Sequence, residues 1–137
     1  MVGALLLAPA CAQVYAVEVN RQATLLAMRQ ATALGVHNCQ FRTGKVERIL
    51  YRYLGQGLQP DLAVLDPPRA GCDIAALQAL AALRLPRLIY VSCSPPTLAR
   101  DLQRLSELGY QTLHVQPVDM FPQTYHIECV ATLKRLA

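Results

Sequence analysis

The sequence predicts an α/β protein: a Rossmann-like, mostly parallel sheet with an antiparallel strand pair at its C-terminal end. Three observations predict it. Short apolar, β-branched runs alternate with longer helix-patterned stretches through tight turns, which is the order of a parallel α/β sheet. The last two strand-like runs, Gln111 to Val118 and Ile127 to Leu133, have only a long turn between them, so they are expected to pair antiparallel. Glu18, Asp66 and Cys93 all fall at the carboxyl ends of predicted strands, the rim where ligands gather in such sheets.

The elements follow in chain order. Gly3 to Ala12 is rich in Ala and Leu and predicts a buried helix with a break near Pro9. Val14 to Glu18 is a β-branched run ending in an acid, a buried strand. Asn20 is an N-cap for a helix over Arg21 to Leu34, and Gly35 stops it. Leu25, Met28, Ala31 and Leu34 are the expected apolar stripe, widened by Leu26. Cys39 to Thr43 reads as a short strand with Gly44 in the turn, and Val46 to Leu54 as a short helix with an arginine-rich face. Gly55, Gly57 and Pro60 mark a loop. Leu62 to Leu65 is a strand, followed by Asp66-Pro67-Pro68-Arg69-Ala70-Gly71. Asp73 caps a helix over Ile74 to Leu83, and Leu88 to Val91 is the next strand. Pro95 to Leu108 is a helix opened by two prolines, which a first turn tolerates, and ended by Gly109.

Composition narrows the class. With 137 residues, 53% hydrophobic and 16% charged, the chain can bury a core and is not of disordered composition. It reads as one domain, without repeats or a linker. A net charge of +4 and a pI near 8.9 permit an anionic partner such as RNA without requiring one. The five cysteines are odd in number and no pair has C-x-x-C spacing. That argues against a disulfide framework or a zinc site and for a reducing, cytoplasmic compartment. The apolar opening lacks a basic leader region and is too short to span a membrane.

Three stretches carry chemistry. A free cysteine after an apolar run ordinarily fills core. Cys93, however, ends a strand in a polar turn and faces a helix N-terminus, a setting that favours a nucleophilic thiol. The Asp66-Pro67-Pro68-Arg69 turn is stiff and poor in backbone donors. It can hold a carboxylate against a flat ligand with Arg69 left to meet an anion; ending a strand is the alternative role. Glu18 has two readings, an acceptor for ribose hydroxyls and a solvated strand-end acid.

Leu65-Asp66-Pro67-Pro68-Arg69-Ala70-Gly71, then Tyr90-Val91-Ser92-Cys93-Ser94-Pro95-Pro96-Thr97-Leu98-Ala99-Arg100-Asp101, then Asp119-Met120-Phe121-Pro122 with His126-Ile127-Glu128, resembles a known family. It is the catalytic domain of the S-adenosylmethionine-dependent RNA uracil-5-methyltransferases, which make 5-methyluridine in tRNA and 23S rRNA. The likeness covers nearly the whole chain, with the three motifs in order. It implies Cys93 as nucleophile and Glu128 as the base that takes the C5 proton. It implies S-adenosylmethionine as cofactor, with Asp66 and Glu18 in its site, Glu18 on the ribose. Gly3 and Ala4 match the end of the glycine loop, and Lys45 stands near the adenine, where the family more often has Asn or Asp. RNA is the implied partner, without a membrane or an obligate protein partner. Arg69 and Arg100, with Arg104, are candidate phosphate contacts; for the two helical arginines a solvated helix face is the alternative. Cys72 and Cys129 are expected to pack. A structural role and a bound role both stand for His126, which with Tyr125 flanks Glu128.

The sequence departs from the family at Ser94, where Asn is usual, and at its start. The family's first strand, most of its glycine loop, its N-terminal RNA-binding domain and the iron–sulfur cluster of many members would precede Met1. The chain is therefore expected to be a C-terminal fragment or a mis-started reading frame that, alone, binds S-adenosylmethionine poorly and is inactive. Its alternative role is a non-catalytic remnant with weak RNA binding. A nucleotide-binding oxidoreductase would need an intact glycine fingerprint, which the sequence lacks.

Overall fold

The computed structural model describes residues 1–120, 122–124 and 126–137. The elements run α1 (Val2–Leu7), a 3₁₀ turn (Ala8–Ala10), β1 (Val14–Glu18), α2 (Arg21–Ala33), β2 (Cys39–Thr43), α3 (Val46–Gly55), β3 (Leu62–Leu65), α4 (Ile74–Ala82), β4 (Arg87–Ser92), α5 (Pro95–Glu107), β5 (Tyr110–Val118) and β6 (Glu128–Arg135). The chain divides into two units, Met1–Arg52 and Tyr53–Ala137. Phe121 and Tyr125 of the expected motifs lie outside the described residues. Among the described residues no helix is long and apolar enough to cross a membrane.

In the first unit β1 and β2 form a two-stranded parallel sheet, with Val14 opposite Cys39 and Glu18 opposite Thr43. Asn20 caps α2 as its chemistry predicts, its Oδ1 accepting from the amides of Gln22 and Ala23 at 2.9 and 3.1 Å. Gly35 follows at φ +66, the left-handed conformation that ends a helix at little cost for glycine.

Two expectations for this unit are corrected. The buried face of α2 is Thr24, Ala27 and Ala31, spaced i, i+3, i+7, whereas Leu25, Leu26, Met28 and Leu34 are exposed. The buried positions of α2 carry small side chains, so its inner face does not follow its large apolar residues. The opening helix is only partly buried: Leu5 and Ala8 are inside, while Val2, Leu6 and Leu7 are exposed.

The second unit holds a four-stranded sheet of order β3-β4-β6-β5. The β3–β4 pair is parallel, and β4–β6 and β5–β6 are antiparallel. Among the described residues the α/β fold thus has mixed sheets, with two parallel and two antiparallel pairings. Strand β6 comes last in the chain and inserts between β4 and β5. The antiparallel C-terminal pair is present, and it carries a bulge: Thr112 faces Leu133 and His114 faces Thr132, leaving Leu113 unopposed. Pro117 sits on β5, the end strand of its sheet, where a missing amide is tolerated. Leu77, Leu85, Leu88, Tyr90, Leu105, Tyr110, Ala131 and Leu133 are almost wholly buried. Asp73 occupies the N-cap position of α4 without a side-chain cap bond; its carbonyl accepts from Ala76 and Leu77 instead.

Candidate active site

The site of the second unit is built at the carboxyl ends of β3 and β4. These strands are parallel, with Leu65 opposite Tyr90, so Asp66 and Cys93 leave the sheet at the same end. Strand β6 arrives from the other direction, and Ser92 pairs with Cys129. The pairing ends there: Cys93 is the residue after β4, and Glu128, next to Cys129, is the residue that opens β6. Ser92 and Cys129 are buried, whereas Cys93 and Glu128 are partly exposed.

The turn that carries Cys93 is tied at its base. The Ser92 hydroxyl donates to the Ser94 carbonyl and accepts from the Ser94 amide, both at 3.0 Å, so one buried side chain closes a loop around the cysteine. Ser94 then occupies the N-cap position of α5, with proline in the first turn. The Thr97 hydroxyl lies 3.1 Å from the Ser94 carbonyl and 3.0 Å from that of Arg69, bridging the cysteine turn to the segment after β3.

That segment is held to α5 at two further points: the Cys72 amide donates to Asp101 Oδ2 at 2.7 Å, and Arg100 Nη2 donates to the Ala70 carbonyl at 2.7 Å. From β4, Tyr90 Oη donates to the same Asp101 Oδ2 at 2.6 Å. Asp101 is fully buried and its Oδ1 also meets Arg100 and Arg104, at 2.9 and 3.4 Å. Burial pushes the Cys72 thiol up to about 11. Burial, then the bond to Asp101, raises the Tyr90 phenol well above its ordinary range. Both groups keep their protons, and Cys72 serves as packing and as a backbone donor. The Arg100 guanidinium is engaged inside the fold and still partly exposed. Arg104 also turns toward Asp101. Arg69 is exposed, and its Nη2 lies 3.2 Å from His126 Nδ1.

The sequence reading gave Tyr90 and Asp101 no role beyond membership of a motif. The available signal was an acid on the buried stripe of α5, between Leu98 and Leu105. An ionised side chain at such a position needs several partners.

In the first unit, Glu18 ends β1 half-buried. Its Oε1 accepts from the Asn20 amide at 2.9 Å and its carbonyl from the Gly44 amide at 2.9 Å. Lys45 follows that turn and is exposed. Gly3 and Ala4 lie in the first turn of α1, and a Cβ built on Gly3 would meet nothing within 4 Å.

A model of the tRNA (uracil-5-)-methyltransferase family matches residues 4–136. The chain belongs to this family. Among its relatives, an uncharacterized RNA methyltransferase of Oceanobacillus iheyensis is 47% identical over 129 residues, which is 94% of this chain and 28% of the relative. One of Geobacter sulfurreducens is 47% identical over 130 residues, 95% of this chain and 26% of the relative. The chain thus spans little more than a quarter of the length of these relatives. Among solved structures, the Pyrococcus abyssi tRNA (uracil-54, C5)-methyltransferase in complex with S-adenosyl-L-homocysteine matches with a TM-score of 0.80 at 29% identity, over 96% of this chain and 30% of that one. NSun6 of Pyrococcus horikoshii, 14% identical with a TM-score of 0.73, shares the fold. The family and the fold agree: the fold is that of the S-adenosylmethionine-dependent methyltransferases.

Proposed function

We propose that this chain is the catalytic part of an enzyme that methylates C5 of a uridine in RNA, with Cys93 as nucleophile and Glu128 as proton acceptor. The observation that supports the reading is the β4–β6 register, which ends on the Ser92–Cys129 pair, with Cys93 the next residue after β4 and Glu128 the residue before Cys129. Uracil C5 is a weak nucleophile. Addition of the Cys93 sulfur to C6 moves the C5–C6 π pair toward the C4 carbonyl as an enolate, so C5 gains the electron density to accept a methyl cation. Glu128 then takes the proton from the methylated C5. The pair released re-forms the C5–C6 bond and expels the Cys93 thiolate. A uridine inside folded RNA must leave its stack to reach such a site.

S-adenosylmethionine, the cofactor this reading requires, supplies an electrophilic methyl group on a sulfonium. Each unit carries its own proposed contacts. In the first, Glu18 fits a ribose, because its carboxylate is held in one orientation by Asn20 at the carboxyl end of a parallel strand. Gly3, Ala4 and Lys45 are the further contacts there. In the second the contact is Asp66. Arg69 is the proposed phosphate contact, exposed beside the cysteine turn. Arg100 reaches phosphate only with the part of its guanidinium not already bound to Ala70 and Asp101.

The test is covalent trapping. With S-adenosylmethionine and RNA containing 5-fluorouridine, the fluorine on C5 cannot leave as a proton does, so the protein–RNA adduct persists and is seen by mass. Cys93→Ala is expected to abolish it. Glu128→Gln is expected to form adducts even with ordinary RNA, because addition and methyl transfer proceed and elimination stalls. Salt-sensitive RNA binding with no adduct in the parent protein would favour the non-catalytic reading instead.

A further inference from the structure

The geometry points to Asp101 as a positioning residue that sets the distance between the Asp66–Arg69 segment and the Cys93 turn. The inference rests on the reaction proposed above and goes beyond it. Three residues of α5, Thr97, Arg100 and Asp101, stand at i, i+3 and i+4 and so share one helix face. All three bind the segment after β3, at the Arg69 carbonyl (3.0 Å), the Ala70 carbonyl (2.7 Å) and the Cys72 amide (2.7 Å). The segment lies against the helix so closely that Gly71, at φ +80, has no room for a side chain. A Cβ there would come within 2.5 Å of both Arg100 Nη2 and Asp101 Oδ2.

Asp101 is the centre of this contact. It is fully buried, and four donors converge on its two oxygens: Tyr90 Oη, the Cys72 amide, Arg100 Nε and Arg104 Nη1. Tyr90 lies on β4, two residues before Ser92, and Thr97 joins the same helix to the Ser94 carbonyl. One carboxylate therefore links the strand that leads into Cys93, the helix that leads out of it, and the segment holding Asp66 and Arg69. Such a hub touches neither uracil nor cofactor. It acts by fixing where groups on one loop stand relative to a nucleophile on the next.

Tyr90→Phe and Asp101→Asn test it in the same protein used for adduct trapping. Phe keeps the packing and removes one donor. Asn keeps the shape and places an amide against donors that need an acceptor. Both variants are expected to lower the trapping rate at saturating 5-fluorouridine RNA by about 10- to 100-fold, the scale of a small misplacement of reacting groups. RNA affinity is expected to stay within about threefold, because no group placed on RNA is removed. Leu105→Ala, a buried change one turn further along the same helix that removes none of the hub's polar groups, is the control for stability alone. Amide hydrogen exchange gives a reading that needs no activity: in Asp101→Asn, protection of Gly71 and Cys72 is expected to fall while that of mid-α5 holds. If trapping rates in Tyr90→Phe and Asp101→Asn stay within twofold of the parent, or fall only as far as in Leu105→Ala of equal thermal stability, the positioning role is overturned. If the parent forms no adduct, the proposed reaction fails. The exchange result then decides Asp101 on its own: unchanged protection at Gly71 and Cys72 overturns it.

Discussion

At the scale of single residues, the buried polar cluster of the second unit determines how the fold answers to pH and to substitution. Burial raises the Cys72 thiol from its ordinary 9.0 to about 11, and it raises the Tyr90 phenol above its ordinary 10.0. The folded chain therefore keeps both protons to higher pH than the unfolded chain does. The stability they contribute is complete below pH 9.0 and is lost as pH rises, first through the window from 9.0 to about 11 for the thiol and then above 10.0 for the phenol. Urea midpoints measured from about pH 8 to 11 should fall, and Tyr90→Phe should flatten the upper part of that fall. Gly71→Ala tests the same cluster from its backbone side. With φ at +80 and no space for a Cβ, it is expected to lower the unfolding free energy by about 2–4 kcal/mol, read from the same midpoints. At Glu18, Asp66 and Cys93 the place at a strand end follows from local pattern, whereas Glu128 enters only through the family resemblance. Asp101 was not legible in this way, because its partners come from β4, from α5 itself and from the amide after Gly71. Their convergence depends on contacts distant in sequence.

At the scale of elements, local chemistry and local geometry diverge in an instructive way. Asn20 and Gly35 bound α2 as their chemistry requires. The face of that helix that packs is not the one its leucines mark. Hydrophobic periodicity assumes that large apolar side chains lie inside, and it misleads where, as on α2, the buried positions are held by Ala and Thr. Two substitutions separate the readings. Ala31→Leu adds volume to a position only 5% exposed and is expected to cost about 1–3 kcal/mol. Leu26→Ser, at a position 57% exposed, should stay within about 0.5 kcal/mol. If the leucine stripe were the inner face, the order would reverse in denaturant melts.

At the scale of the whole molecule, the alternation of strands and helices was legible because each element is specified within its own stretch of chain. The antiparallel closing pair was legible too, from the missing helix between its strands. The insertion of β6 between β4 and β5 was not, since strand order is fixed by pairing between segments far apart in sequence. That insertion sets Ser92 against Cys129, and the Cys93→Ala and Glu128→Gln outcomes described above test the proposed roles of the residues beside that pair. Each unit keeps its own sheet, so the acid at Glu18 and the pair at Cys93 and Glu128 are understood within their own sheets.

The unopposed Leu113 has a consequence for how this gene can change. Thr112 and His114 already face consecutive residues of β6, so excising the codon between them would bring them together into an uninterrupted ladder. A chain lacking Leu113 should fold with its urea midpoint shifted by about 1 kcal/mol or less in free energy. Excising Val130 instead would displace two ladders at once and should leave no cooperative transition. Single-codon loss, ordinarily ruinous inside a strand, is expected to be tolerated at Leu113.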